Sequence, residues 1–169
     1  KPGVIERDEN QVFPHEEIKQ LGELGFMGMM VNPKYGGGGM DTVSYVLAME
    51  EISKIDASAS VCMSVNNSLV CWGIEKFGSE EQKQKYLKAL ATGEKIGAHA
   101  ITEAEVGSDA WKMDTNAVKN DNGDFVINGN KTFCSNGPIA DTIIVYARTN
   151  EAAGTLGGFT AFIVDTKDN

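Results

Sequence analysis

The feature that most constrains this chain is a change of hydrophobic period near its middle. Up to Gly93 the apolar residues recur at the three- and four-residue spacing of helices; beyond it they alternate as strand residues do. Pro14 followed by His15-Glu16-Glu17 suits a first helical turn, Ile18, Leu21 and Leu24 share a face, and Gly25 supplies a stop. Asp41 is placed to cap a second helix with an inward stripe of Val43, Val46, Leu47, Ile52 and Ile55. The stretch from Ser58 to Phe77 is apolar on more than one face, the mark of a helix buried in a bundle. Ser79 and Gln82 have capping-box spacing ahead of Tyr86, Leu87 and Leu90, and Gly93 closes that helix.

In the second half, Val118 and the alternating Phe125 and Ile127 predict strands around the turn Asp121-Asn122-Gly123. Asn128-Gly129 is a second hairpin signal, leading into a strand from Lys131 to Ser135. Thr142 to Ala147 and Phe159 to Val164 predict two more strands, joined by a Gly-containing loop. The expectation is α+β. An all-α helical bundle occupies residues 1–96, and an antiparallel, β-barrel-like meander occupies 97–169, with the seam near Gly97. Four consecutive glycines, Gly36 to Gly39, invite a phosphate-loop reading. They lack the following Lys-Ser/Thr and a preceding strand, so a flexible turn into the next helix is the better reading, with an anion site as its alternative.

Composition removes several function classes. Fifteen Lys and Arg against 24 Asp and Glu give a formal charge of −9, with no basic cluster, which argues against nucleic acid. No apolar run has bilayer length, so membrane insertion is not expected. Cys62, Cys71 and Cys134 share no metal-ligand spacing and suit free thiols in a reducing compartment; no metal site is expected. His15 and His99 supply a metal cluster or a catalytic triad poorly. The chain opens on Lys1-Pro2 without Met and closes just after an apolar run, so both ends look cut. Targeting is therefore open: a bacterial cytoplasm is the first expectation and a mitochondrial matrix the second.

Two segments offer chemistry. In Ile101 to Ala110 a strand end passes into a loop where the amides of Gly107 and Ser108 can form an anion nest, with the Ser108 hydroxyl beside them. The same residues also serve simply to shape a turn. In Lys131 to Asn136, Phe133 and Ser135 are two apart and share a face if the segment is a strand. An aromatic beside a hydroxyl suits a flat heteroaromatic ligand, and it is also an ordinary sheet pair.

Taken together, Thr102-Glu103-Ala104-Glu105-Val106-Gly107-Ser108-Asp109 and Lys131-Thr132-Phe133-Cys134-Ser135-Asn136 resemble the two flavin signatures of the acyl-CoA dehydrogenase family. The helical half resembles its short-chain, butyryl-type branch at Ala48 to Ser53, Met63 to Leu69 and Phe77 to Lys83. The resemblance implies FAD as cofactor. It gives Thr102, with Ile101 beside it, the pyrimidine side of the flavin, and Gly107 and Ser108 the pyrophosphate, with Ser108 also near the pantetheine arm of a thioester. Phe133 takes the family's Trp position over the dimethylbenzene end, Cys134 lies next to it, Ser135 reaches flavin N5, and His99 lines the same cofactor. Cys62, Val65 and Leu69, at helical spacing, fall on the stretch resembling the acyl-pocket helix and equally suit plain core. Three residues depart from the family pattern: Ala104 for Pro, Phe133 for Trp, and His99 where an aromatic is common.

The implied activity is α,β-desaturation of an acyl-CoA thioester, with hydride passing to flavin N5 and an electron-transfer flavoprotein as acceptor, in a homodimer or homotetramer. The family's carboxylate base belongs to a C-terminal helical domain that these residues do not include, so no catalytic residue is assigned here and the chain alone is expected to be inactive. Two alternatives remain at this point. One is a flavin oxidase or carrier-protein-thioester dehydrogenase of the same fold; the other is a truncated, non-catalytic binding module.

Overall fold

A computed structural model describes residues 3–150 and 157–167, which fall into two units, Lys1–Gly97 and Ala98–Asn169. The first unit is helical. It contains α1 (Val4–Glu9), α2 (His15–Glu23), α3 (Thr42–Ser53), α4 (Ala57–Ser64), α5 (Trp72–Phe77) and α6 (Glu80–Ala91). The expected caps form. Asp41 accepts from the Ser44 amide at 2.8 Å, and Ser79 and Gln82 make a reciprocal capping box. Gly25 and Gly93, at φ 82° and 72°, end α2 and α6 in the left-handed conformation that glycine adopts without strain. Helix α1 was not anticipated, and it buries no side chain. Arg7 pins it, donating to Asp56 at 2.8 Å and pairing with Glu17 at 2.6 Å.

Two features of this unit differ from the sequence expectation. On α3, Val43, Val46 and Leu47 of the expected stripe face outward, Val43 being 68% exposed; Ile52 turns to the core as expected, joined there by Tyr45, Ala48 and Met49. Glu50 and Glu51 stand four residues after Val46 and Leu47 and so share their face, and these charges take that face to solvent. The larger Tyr45 and Met49 win the interior, and the Tyr45 hydroxyl bonds Ser64 Oγ at 2.9 Å. Second, the long helix from Ser58 to Phe77 is interrupted: Val65–Cys71, joining α4 to α5, is π-helical. Its wider turn brings two consecutive asparagines inside. Asn66 Nδ2 donates to the carbonyls of Met27 and Leu90, both at 2.9 Å, while its Oδ1 accepts from the Gly97 amide at 3.0 Å. Asn67 Nδ2 donates to the carbonyls of Phe26 and Met63.

The four glycines are a turn, as the better reading held, but a pinned one. The amides of Gly36, Gly37, Gly38 and Gly39 all donate to backbone carbonyls between Gly28 and Pro33. A Cβ on Gly37 would stand 2.2 Å from the Val31 carbonyl oxygen, so close packing demands glycine there. No amide of the run is left for a phosphate.

The second unit is a five-stranded sheet: β1 (Gly97–Ala100), β2 (Asn116–Lys119), β3 (Phe125–Asn128), β4 (Thr142–Arg148) and β5 (Phe159–Asp165). Helices followed by a sheet is the expected fold class, and the long ladders are antiparallel. β4 pairs with β5 from Thr142↔Asp165 to Arg148↔Phe159, and β2 with β3 from Asn116↔Asn128 to Lys119↔Phe125. The order is not a simple meander, however. It runs β1-β4-β2-β3 with β5 also on β4, and β2 meets β4 parallel at Asn116↔Arg148. Asn128-Gly129 is the reason, for it starts no hairpin. Gly129 sits at φ 155°, and a Cβ there would lie 2.2 Å from Thr115 Oγ1, so the glycine serves a close crossing of chains. The loop expected between β4 and β5 lies partly outside the described residues. Among those described, no helix is long and apolar enough to cross a membrane.

Candidate functional site

The second unit brings the two chemistry-bearing segments together, though not as sequence periodicity implied. Lys131 to Asn136 is a loop, because Phe133 and Asn136 have φ of 52° and 67°, which no pleated strand accommodates. Phe133 and Ser135 therefore do not share a strand face. Instead, the loop is laid against the end of β1. The Thr132 amide donates to the Thr102 carbonyl at 2.9 Å, and Cys134 Sγ approaches the His99 carbonyl at 3.4 Å.

At the centre of the junction lies an ion pair that sequence reasoning passed over. Lys131 Nζ is 2.8 Å from Glu103 Oε1 and 3.0 Å from the Ile101 carbonyl. Glu103, only 8% exposed, also accepts the amides of Asp114 and Thr115 at 2.7 and 2.9 Å. Burial alone would raise its carboxyl; the ammonium and the two amides outweigh burial and hold it down at about 2. The pair was detectable in principle, because the first signature opens with the carboxylates of Glu103 and Glu105 and the second with the ammonium of Lys131. Arg148 completes the junction: its amide donates to the Thr115 carbonyl and its guanidinium to the Trp111 carbonyl, both at 2.8 Å.

Around this braced junction the donors are uncommitted. Gly107 and Ser108 are exposed, and among the described residues neither their amides nor the Ser108 hydroxyl has a partner. A Cβ on Gly107 would meet nothing within 4 Å, and its backbone is not left-handed, so nothing in the fold of the described chain demands glycine there. The hydroxyls of Thr102 and Ser135 are likewise unpartnered among the described residues, Thr102 half-buried and Ser135 exposed. Phe133 is 90% exposed. His99 is half-buried with its ring centroid 5.1 Å from that of Tyr146, and burial lowers its pKa, favouring the neutral ring. Cys134, half-buried, has its thiol pushed up by burial.

The residues expected to line an acyl pocket lie in the helical unit and separate there. Cys62 and Val65 are buried, whereas Leu69 is 43% exposed, because the π-helical turn between Val65 and Cys71 breaks the stripe that a regular helix would keep. The three cysteines are free thiols, and no metal-binding group of His, Cys, Asp and Glu occurs among the described residues.

Comparison with known proteins agrees with this layout. The sequence pattern of the acyl-CoA dehydrogenase N-terminal domain matches residues 1–94, and that of the acyl-CoA dehydrogenase middle domain matches residues 98–169. The chain belongs to the acyl-CoA dehydrogenase family. It is 45% identical over 166 residues to a short-chain-specific acyl-CoA dehydrogenase of Clostridium acetobutylicum, covering 98% of this chain and 43% of that protein. It is 43% identical over 163 residues to the CarC subunit of the caffeyl-CoA reductase–Etf complex of Acetobacterium woodii, covering 96% and 42%. The butyryl-CoA dehydrogenase structure from Megasphaera elsdenii superposes with a TM-score of 0.91 at 42% identity, covering 98% of this chain and 44% of that one. The chain thus spans less than half the length of the relatives it matches.

Proposed function

We propose that this chain forms the flavin-facing part of an FAD-dependent acyl-CoA dehydrogenase acting on a short acyl thioester, with residues 1–96 as the N-terminal α domain and 97–169 as part of the middle β domain. One observation carries the reading: two loops, braced against each other, present uncommitted amides at Gly107 and Ser108, hydroxyls at Thr102, Ser108 and Ser135, and the exposed ring of Phe133. This donor set fits FAD. Gly107, which packing does not require, leaves room for a pyrophosphate to approach two free N–H groups, and Phe133 offers an apolar face to a planar ring.

In this assignment Gly107 and Ser108 hold the pyrophosphate, while Thr102, Ile101 and Ser135 orient the ring system by hydrogen bonds at its edge. Phe133, Cys134 and His99 line its other sides, with the half-buried imidazole kept neutral. Bound FAD would accept the hydride from the substrate β-carbon, a chemistry that belongs to the cofactor. Ser108 would contact the thioester arm of the substrate, and Cys62, Val65 and Leu69 are the helical unit's candidates for its acyl chain. No catalytic base is assigned. The one buried carboxylate among the described residues, Glu103, is committed to Lys131 and two amides and is not free to take a proton. An electron-transfer flavoprotein is the assigned acceptor, a homodimer or homotetramer the assigned assembly, and the bacterial cytoplasm the assigned location. The relation to the Etf-complexed CarC subunit supports the acceptor.

The test is the protein purified at its natural length. A yellow preparation whose flavin bands bleach on adding butyryl-CoA, and whose electrons pass to an electron-transfer flavoprotein faster than to oxygen, is the expected result. A colourless protein that FAD cannot reconstitute would sink the reading. The 169-residue chain by itself is expected to give no turnover in a dye-coupled butyryl-thioester assay.

A further inference from the structure

Lys131 reaches both neighbours of Thr102. Its ammonium donates to the carbonyl of Ile101, one residue before, and to the carboxylate of Glu103, one residue after, and lies 3.6 Å from Met113 Sδ. Glu103 is held on every side: Oε1 also accepts the Thr115 amide, Oε2 accepts the Asp114 amide, and its backbone exchanges two hydrogen bonds with Val106 at 2.9 and 3.1 Å. The pair is almost fully enclosed, with side-chain exposures of 10% and 9%. Burying charges this deeply is a poor route to stability, since apolar pairs of similar volume often do as well or better. What an ion pair with three further hydrogen bonds supplies, and an apolar contact does not, is direction. The uncommitted groups hang from this knot on short tethers: Ser108 follows Glu103 by five positions, and Ser135 follows Lys131 by four.

We propose that Glu103 and Lys131 are positioning residues for the flavin: their buried ion pair fixes the Thr102–Ser108 loop relative to the Lys131–Ser135 loop, and so sets how the ring is gripped. The inference rests on the flavin reading above. Neither side chain touches the cofactor; each acts through the backbone of the loop it holds.

The experiment compares the natural-length protein with Lys131→Met and Glu103→Gln, each stripped of flavin and retitrated with FAD. Three quantities are read: the dissociation constant, the absorption bands of the bound flavin, and the thermal midpoint of the flavin-free protein. Both variants are expected to bind FAD at least tenfold more weakly and to show bound-flavin bands displaced toward those of free FAD. Affinity within threefold of wild type, or weaker binding with unshifted bands, overturns the proposal, because a merely structural role would lower occupancy without changing the grip. Should Lys131→Met not be recovered folded, the double substitution Glu103→Met with Lys131→Met carries the test, since an apolar pair can fill the same space. It is expected to fold and still show displaced bands; wild-type bands in it would overturn the proposal. Failure of the wild-type protein to take up FAD at all would instead defeat the flavin reading, before any variant is made.

Discussion

Two Glu–Lys pairs, one in each unit, show how differently the same chemistry is used. In the helical unit Lys34 and Glu80 meet at 2.7 Å with Tyr35 and Gln84 alongside, and the Glu80 carboxyl is held at about 2, first of all by the Lys34 ammonium. In the sheet unit Lys131 and Glu103 meet at 2.8 Å, and Glu103 is held at about 2 as well. The first pair is more than half exposed on both sides, the second almost enclosed. Equal shifts therefore carry unequal weight, because water screens the outer pair and not the inner one. The contrast extends to the whole of each unit. In the helical unit the side-chain amides of Asn66 and Asn67 and the backbone amides of the glycine run are spent on that unit's own carbonyls, whereas the loops of the sheet unit bind themselves together and leave donors facing outward.

The sharpest break in that comparison is expected at Asn66. Asn66→Ala removes three buried hydrogen bonds at once, those to the Met27 and Leu90 carbonyls and that from the Gly97 amide. Three hydrogen bonds at roughly 0.5–1.5 kcal/mol each, together with the cavity the amide leaves, put the expected loss at about 4 kcal/mol in denaturant unfolding. Lys131→Met comes next, costing about 3 kcal/mol because it leaves a buried carboxylate without its cation. Lys34→Met, on the exposed pair, is expected to leave the thermal midpoint unmoved. Equal losses from the two lysine substitutions would show that enclosure does not separate the pairs.

These residues also mark where the sequence could be read and where it could not. Caps and stops were legible because they are local: Asp41, the Ser79–Gln82 box, Gly25 and Gly93 act on backbone groups within a turn of themselves. The site segments were legible through family resemblance, and the structure brings both to one junction. Their conformation was not, since the left-handed backbone at Phe133 and the crossing of Gly129 over Thr115 depend on partners distant in sequence. Asn66 and Asn67 escaped notice for the same reason. In a regular helix two neighbouring asparagines break the apolar pattern; only the π-helical turn lets both enter the core. The outward stripe of α3 has a different cause: Glu50 and Glu51, four residues after Val46 and Leu47, mark that face as the outer one, a signal carried by the charges and not by the apolar spacing.

Acid sharpens the comparison at smaller amplitude. Glu103 has a folded pKa below its ordinary value, so its contribution is present in full above the ordinary carboxylate range. That contribution is lost as pH falls from about 4.5 toward 2. His99 is shifted down by burial, so the unfolded chain takes up its proton first and stability begins to fall below about 6.5. Stability measured by urea unfolding is therefore expected to be flat above neutrality, to decline slightly below it, and to drop more steeply under pH 4.5. His99→Phe, which keeps a flat ring against Tyr146, should remove the first decline and spare the second. A His99→Phe profile superimposable on wild type would show that the imidazole is not excluded from protonation by the fold.

A near-neutral change in stability at Phe133 is the most informative about purpose. Phe133 holds a left-handed backbone at φ 52° while its ring is 90% exposed, so the described chain gains little packing in return for the strain. A bulky residue in that conformation costs about 1 kcal/mol relative to glycine, partly offset by the greater freedom of glycine in the unfolded chain. Phe133→Gly is accordingly expected to leave unfolding free energy unchanged or raise it by about 0.5 kcal/mol, while weakening FAD binding at least fivefold. A strained, outward-facing aromatic is retained where the surroundings over-determine it for a ligand. If Phe133→Gly instead destabilised the protein and left FAD affinity intact, the ring would belong to the fold, and the division between an inward-bonded helical unit and an outward-facing sheet unit would fail at its most exposed aromatic.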